Sequence, residues 1–271
     1  MSRVVTVLQA RVGSTRLPGK VLLPLGGRPA LERLAERVRR ARRAGTVVIA
    51  TTTASEDAVL ETVAARAGVL CFRGHPTDLL DRHYQVARML GATHVVKVPS
   101  DCVLIDGQVI DRVIEAFFAR PGAFDYVSNL HPESYPDGND VEICTVAALE
   151  RAWSEAVRPL DREHTTPYLW DHPETFRIGN VAWETGRDLS RSHRIVLDYP
   201  DDWEVIRRVF DALYPRDPAF GLPDVVRYLD NHPEVRELNA RYRGVHWYRH
   251  HLDELRTVSA EDTCLVPGES R

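Results

Sequence analysis

The sequence predicts an α/β fold, a mostly parallel sheet with helices on both faces, plus a small inserted α+β segment. Three observations predict it. The apolar runs Val4-Val5-Thr6-Val7-Leu8 and Thr46-Val47-Val48-Ile49-Ala50 lack polar alternation, as strands covered on both faces do. Strand-like and helix-like patterns then alternate through residue 128, the signature of parallel pairing. At 271 residues the chain can bury a substantial core.

The elements follow in order. After a polar loop, Leu31, Leu34, Ala35, Val38 and Ala41 recur at helical spacing. The second strand runs into Thr51-Thr52-Thr53, and Ser55 reads as an N-cap with Glu56 and Asp57 in the first turn. Val59, Leu60, Val63, Ala64 and Ala67 form that helix's inner stripe, and Gly68 ends it. A third strand is expected over 69–72, a helix over 79–90 closed by Gly91, and a fourth strand over 93–98. Val109, Ile110, Val113, Ile114 and Phe117 mark the next helix, with a strand after it over 125–128.

From Ser134 the rhythm changes. A turn-rich stretch over 134–139 precedes an expected strand over 141–144 and a helix over 146–157. Strands are expected over 176–182 and 195–197, the second leading into Asp198. Pro200 then opens a helix whose inward face is Trp203, Ile206, Val209, Phe210 and Leu213. The expected organisation is a 1–214 domain with an insertion over about 134–192, then a helical extension over 215–271 whose last dozen residues fray.

Composition narrows the function. With a formal charge of −4 there is no global basic field to attract nucleic acid, so any phosphate site must be local. The cysteines Cys71, Cys102, Cys144 and Cys264 lie far apart and suggest neither a zinc site nor a disulfide framework. The N-terminus runs into a core strand without a signal-peptide pattern, and no apolar run reaches membrane-spanning length. A cytoplasmic protein is expected.

The first strand delivers Gln9-Ala10-Arg11-Val12-Gly13-Ser14-Thr15-Arg16-Leu17-Pro18-Gly19-Lys20 to its carboxyl end. Gly13 and Gly19 permit close backbone approach, and Arg11, Arg16 and Lys20 supply charge, so the loop reads as a cradle for a nucleoside triphosphate. Five residues separate the two glycines and Val21 follows Lys20, which departs from the P-loop pattern, and no GxGxxG is present. Only Lys20 and Lys97 among the basic residues are lysines, so a lysine in the loop is notable. A compact ammonium reaches between phosphates where a planar guanidinium does not. A plain polar surface loop is the competing reading.

Two carboxylates follow from position. Asp101 begins where the fourth strand ends, and ligands of parallel sheets bind beyond those ends. Asp106 is the better placed helix cap, which frees Asp101 for a hard cation beside phosphates. Asp198 ends its own expected strand, while Asp201 and Asp202 already complement the helix that follows. If the two converge, they hold a magnesium ion between nucleotide phosphates and an attacking oxygen.

The loop motif, with Leu23-Pro24-Leu25-Gly26-Gly27 after it, resembles the N-terminus of the sugar-acid cytidylyltransferases. The nearest branch is the spore coat polysaccharide biosynthesis protein F type, related to the CMP-ketodeoxyoctonate and acylneuraminate cytidylyltransferases. Phe72-Arg73-Gly74, Asp78-Leu79-Leu80-Asp81-Arg82-His83-Tyr84, Asp101-Cys102-Val103-Leu104-Ile105-Asp106 and Tyr126-Val127-Ser128-Asn129 agree with it in order. So do Tyr135-Pro136-Asp137-Gly138-Asn139-Asp140-Val141-Glu142, Arg162-Glu163-His164-Thr165-Thr166-Pro167-Tyr168 and Leu197-Asp198-Tyr199-Pro200. Val103 and Tyr199 depart from the family pattern, and nothing after about residue 214 matches it.

The resemblance implies a glycosyltransferase-A-like nucleotide-binding fold and transfer of CMP from CTP to an acidic small-molecule acceptor, releasing pyrophosphate. It implies that Arg11, Ser14, Arg16 and Lys20 hold the triphosphate, that Gln9 and Ala10 face the nucleoside, and that Arg73 and Asp81 close over it. Asp101 and Asp198 match the family's magnesium aspartates. Asp137, Asn139, Asp140, Glu142, Glu163 and His164 lie where the acceptor would bind, a sugar acid or a phosphonate or phosphate. Relatives are often homodimers. A glycosyltransferase or another nucleotidyltransferase using a different nucleotide is the alternative within the same fold, and a nucleotide sensor without catalysis is a third reading.

Overall fold

The computed structural model describes residues 2–266 and 268. The chain opens with β1 (Val4–Gln9), the hairpin β2 (Pro24–Leu25) and β3 (Arg28–Pro29), and helix α1 (Ala30–Val38). Next come β4 (Thr46–Thr52), α2 (Val59–Ala67), β5 (Leu70–Gly74), α3 (Leu79–Met89), β6 (His94–Pro99), α4 (Gly107–Ala119) and β7 (Tyr126–Ser128). The second half holds β8 (Glu142–Thr145), α5 (Val146–Glu155), α6 (Pro159–His164), α7 (Pro167–Trp170) and β9 (Ile178–Asn180). It closes with α8 (Pro200–Leu213), α9 (Leu222–Asn231) and α10 (Pro233–Arg236).

Seven strands form one sheet in the order β5-β4-β1-β6-β8-β7-β9. β5, β4, β1 and β6 are parallel, as their apolar runs and intervening helices require. β1 lies in the middle of this parallel half, with β4 on one side and β6 on the other, so its loop leaves from the centre of the sheet. Side chains of β1 alternate between two buried cores. Leu8 packs with Leu34, Leu60, Ile110, Ile206 and Val225, while Val5 and Val7 pack with Leu80, Tyr84, Leu149, Trp170 and Tyr248. Helices thus cover both faces.

The strand over 125–128 does not extend the parallel series. β8 inserts between β6 and β7 and is antiparallel to both, and β9 adds parallel to β7 at the edge. The crossover through α4 skips the strand position beside β6, and β8 fills it. The strand expected over 195–197 is an extended segment with one bridge, Asp137 to Arg194. Its neighbour is a loop rather than a strand, so no ladder propagates. Ser55 is not an N-cap: it opens a 3-10 turn, Ser55–Ala58, whose capping position is Ala54. Gly68 takes φ 67° and ends α2, and Asp106 caps α4 by accepting from the Gln108 amide at 2.8 Å.

The C-terminal residues turn back across the sheet's second core rather than extending away. Thr263 is buried, and the Cys264 amide donates to the Gly244 carbonyl, so the expected fraying does not reach these two residues. Residues 267 and 269–271 lie outside the described residues. Among the described residues, no helix is long and apolar enough to cross a membrane.

Candidate active site

At the carboxyl ends of β1 and β6 a cavity of about 380 Å³ opens. It is lined by Gln9, Ala10, Arg11, Ser14, Thr15, Arg16 and Lys20 from the loop after β1, and by Ser100 beside β6. Thr77, Leu79 and Arg82 around the start of α3, Glu163 and His164 at the end of α6, and Trp247 complete it. A larger cavity of about 590 Å³ beside α1 and α4 is a structural seam. There Arg37 donates to the Leu104, Ile105 and Phe220 carbonyls, and Asp111 accepts from the Arg42 and Arg43 amides, so its polar groups are already paired.

The loop holds its shape through internal hydrogen bonds. The Ser14 and Gly19 amides both donate to the Val12 carbonyl at 3.0 Å, and Gly19 takes φ 70°, the left-handed region that a side chain disfavours. The Gly19 amide is therefore spent inside the loop, where a phosphate contact was expected of it. Asp57 fixes the loop's beginning: its carboxylate accepts from the Val12 amide at 2.6 Å and from the Thr52 hydroxyl. Sequence reading placed Asp57 only in a helix's first turn.

Lys20, Asp101 and Asp198 converge. The Lys20 ammonium donates to Asp101 Oδ2 at 3.2 Å and to Asp198 Oδ1 at 2.8 Å, and Arg16 reaches Asp198 Oδ1 at 2.8 Å. Burial opposes the charge on Asp198, but Lys20 and Arg16 outweigh it and hold the carboxyl well below the usual carboxylate range. Burial likewise opposes the Lys20 charge, and Asp101 and Asp198 outweigh it, raising its pKa. Lys20, Arg16 and Asp198 are therefore ionised at neutral pH. Positive charge already sits on both carboxylates, Lys20 bridging the two and Arg16 on Asp198. Among the described residues no group of three or more His, Cys, Asp or Glu side chains is arranged to hold a metal ion. A hard cation here would complete its shell with phosphate and water oxygens.

Residues 5–241 match the profile of the family described as cytidylyltransferase. The chain belongs to the cytidylyltransferase family. It is 35% identical to the 3-deoxy-manno-octulosonate cytidylyltransferase of Anaeromyxobacter dehalogenans, over 78% of this chain and 99% of that one. It is 28% identical to the spore coat polysaccharide biosynthesis protein SpsF of Bacillus subtilis, over 87% of this chain and 97% of the relative. A solved cytidylyltransferase from Leptospira borgpetersenii superposes with a TM-score of 0.82 at 30% identity, covering 87% of this chain and 97% of that chain. The protein is a CTP-dependent nucleotidyltransferase, and its sheet is the cytidylyltransferase sheet.

The structure of this cytidylyltransferase places the other expected site residues unevenly. Arg73 turns away: its guanidinium donates to the Thr52 and Ala54 carbonyls at 2.9 and 2.7 Å, and it does not line the cavity. Asp81 does not line it either, because its carboxylate accepts from Trp153 Nε1 and Gln85 Nε2. Arg82, one residue on, does line it. This arginine is fully buried, donates to the Ala50 carbonyl at 3.2 Å, and keeps its Nε without a partner. Burial and the nearby Arg11 push its pKa down to about 10, with Asp57 and Asp78 opposing. Helical phase was the available signal, since neighbouring residues on a helix face directions about 100° apart.

Asp137, Asn139, Asp140 and Glu142 gather beneath Asp101 and Asp198 without lining the cavity. Glu142 pairs with Lys97 at 2.5 Å and accepts from the Tyr126 hydroxyl at 2.6 Å; burial opposes its charge, but Lys97 outweighs it and lowers its pKa. Asn139 is buried and donates to the Pro136 carbonyl, and Asn129 donates to the Asn139 carbonyl. Asp140 is pushed well above the carboxylate range by burial, with Asp137 and Asp101 adding. Glu163 is exposed at the cavity mouth, and His164 is held neutral, with burial and Lys97 pushing its pKa down to about 3.

Sequence reading missed the frame beneath these carboxylates. Arg194, 1% exposed, pairs with both oxygens of Asp202 at 2.9 and 3.0 Å and with Asp137 at 2.8 Å. Asp202 also accepts from the Asp198 and Tyr199 amides, and Asn239 donates to it at 2.9 Å. The orientation of Asp198 is thus set by a buried charged pair. Breaking such a pair costs about 3–5 kcal/mol, so the frame is rigid.

Proposed function

We propose that this cytidylyltransferase transfers CMP from CTP to an acidic small-molecule acceptor, a sugar acid or a phosphonate or phosphate, with release of pyrophosphate and with magnesium as cofactor. The observation that carries the reading is the convergence of Lys20 and Arg16 with Asp101 and Asp198 at one end of the cavity. Two relatives whose names specify cytidylyl transfer or polysaccharide biosynthesis support it.

In this reading the nucleoside lies against Gln9, Ala10 and Arg82, and Arg11, Ser14, Arg16 and Lys20 take the triphosphate. Transfer is in-line attack of the acceptor oxygen on the α-phosphorus with cleavage of the bond to the leaving pyrophosphate. Positioning and neutralisation of charge supply most of such catalysis. When CTP enters, Lys20 and Arg16 exchange their carboxylate partners for phosphate oxygens. Asp101 and Asp198 are then free to hold magnesium, which when bound adds positive charge at the phosphates and favours ionisation of the acceptor hydroxyl. Asp137, Asn139, Asp140 and Glu142 support the acceptor side, with Glu163 and His164 at its edge. Arg73 and Asp81 position neighbouring elements.

Incubation with CTP, magnesium and a panel of sugar acids and phosphonates should release pyrophosphate, and EDTA should stop it. No turnover across the panel together with no CTP binding by calorimetry overturns the reading. We further propose a cytoplasmic homodimer. Light scattering at two concentrations tests the assembly, and a concentration-independent monomer mass overturns it.

A further inference from the structure

The cavity has a wall from outside the matched region. Trp247 stands in a short 3-10 turn, Trp247–His250, six residues beyond residue 241, where the family match ends. Its indole stacks on the His164 ring with centroids 3.6 Å apart and planes 15° from parallel, and both rings line the cavity.

The segment is fixed in place rather than draped. Asp171, fully buried, accepts from the Arg256 amide at 2.7 Å and the Thr257 amide at 3.0 Å. The His246 amide donates to the Thr263 hydroxyl at 3.1 Å, and the Tyr248 hydroxyl donates to the Asp262 carbonyl. Tyr248 and Leu255 are buried in the second core, and Trp170 lies 6.5 Å from Trp247. A ring held this firmly loses little entropy when a ligand packs on it.

Its position selects which ligand. Arg82, on α3, reaches the end of β4 through the Ala50 carbonyl, where the reading above puts the nucleoside. His164 lies near Lys97 and Glu142, where β6 pairs with β8, and near His251 and Arg16. Trp247 therefore faces the acceptor's side of the phosphates. An aromatic face offers apolar area with defined geometry, which a ring bearing axial C–H groups can cover and a two-carbon phosphonate cannot. Glu163, exposed beside it on the same rim, can accept from ring hydroxyls.

We propose that the segment after residue 241 builds the acceptor wall of the site, with Trp247 as the specificity-determining platform for a pyranose-shaped sugar acid. This rests on the cytidylyl-transfer reading above.

The test measures pyrophosphate release by the full chain with CTP, magnesium, and either pyranose sugar acids, 3-deoxy-manno-octulosonate among them, or acyclic phosphonates. Wild type, Trp247→Ala and Trp247→Phe are compared, with CTP affinity measured separately by calorimetry and folding by thermal melts. Pyranose acids should be the substrates. Trp247→Ala should raise their KM at least tenfold and Trp247→Phe no more than threefold, with kcat within threefold and CTP affinity unchanged in both. Preferential use of acyclic phosphonates overturns the proposal, as does an unchanged acceptor KM in Trp247→Ala, or a loss of CTP affinity matching the loss for the acceptor. Should Trp247→Ala fail to fold, a Trp247→Phe variant with acceptor KM raised less than CTP Kd overturns it as well. CTP binding without turnover of any pyranose acid overturns this proposal alone, whereas absence of CTP binding overturns the underlying reading.

Discussion

The loop after β1 gathers Arg11, Ser14, Arg16 and Lys20 within one continuous stretch, and its charges face outward into the cavity. Facing that loop, the carboxylates Asp137, Asp198 and Asp202 come from distant parts of the chain and are tied together by one buried guanidinium, Arg194. The first half keeps its cations on carboxylates that a ligand can replace. The second half spends Arg194 on holding shape, since both its nitrogens on Asp202 and its third on Asp137 are committed. On the proposed reading, equal charge chemistry serves binding in one half and rigidity in the other. Commitment separates them: Arg194 is buried with all three of its nitrogens on carboxylates, whereas Arg11 and Arg16 are exposed on the loop.

The contrast breaks most visibly in turnover. Lys20→Met removes the ammonium shared by Asp101 and Asp198, and Asp198→Asn removes its main partner. Each should lower kcat by roughly 10²–10³-fold or more, the loss typical of one group that stabilises transition-state charge. Circular dichroism should show the fold retained. A loss below tenfold in both variants would remove these residues from the reaction.

Stability should respond in the opposite half. Arg194→Met leaves Asp202 and Asp137 buried without their counter-charge, a change that costs about 3–5 kcal/mol in comparable pairs. For a chain of this size that lowers the melting temperature by roughly 6–20 °C. Arg11→Met, at an exposed position, should shift it by no more than about 1 °C while weakening CTP binding. Equal melting shifts for the two arginines would erase the distinction between a binding half and a framing half.

A smaller effect separates two neighbouring arginines. Arg82 lines the cavity and keeps a buried Nε without a partner, whereas Arg73 is consumed by backbone carbonyls. Arg82→Met should raise the Kd for CTP about tenfold or more, in line with hydrogen bonds to charged groups. Arg73→Met should change it less than about threefold. Calorimetry decides, and the reverse order would restore Arg73 to the site.

The same contrast explains what the sequence displayed. Motifs contiguous in sequence stayed contiguous in space, so the loop from Gln9 to Lys20 and the end of β6 at Asp101 were legible from strand ends alone. The parallel half of the sheet was legible for the same reason, because a doubly covered strand is written as an apolar run. Arg194 was hidden, since an arginine is ordinarily a surface residue and only its burial against Asp202 gives it a role. Asn239 and Trp247 were hidden too, because they meet Asp202 and His164 from far along the chain. The position of β8 between β6 and β7 was likewise invisible, as three- and four-residue strands carry too little periodicity to declare a partner.

The finest distinction lies in how the framing half titrates. Burial pushes the Asp137 carboxyl up to about 6, with Asp202, Asp198 and Asp101 adding to it and Arg194 opposing. An unfolded aspartate titrates near 3.9, so the folded state binds this proton more tightly. Asp137 thus contributes stability that is fully present below about pH 4, is lost as pH rises from about 4 to about 6, and is absent above that. Asparagine imitates the protonated form at every pH. The melting temperature of Asp137→Asn minus that of wild type should therefore grow by roughly 4–8 °C between pH 4.5 and 7 and then stay level. Taking the difference cancels titrations elsewhere in the chain. A difference that stays flat from pH 4.5 to 8 would mean that Arg194 holds Asp137 ionised throughout, making the framing half as electrostatically settled as Lys20 and Asp198.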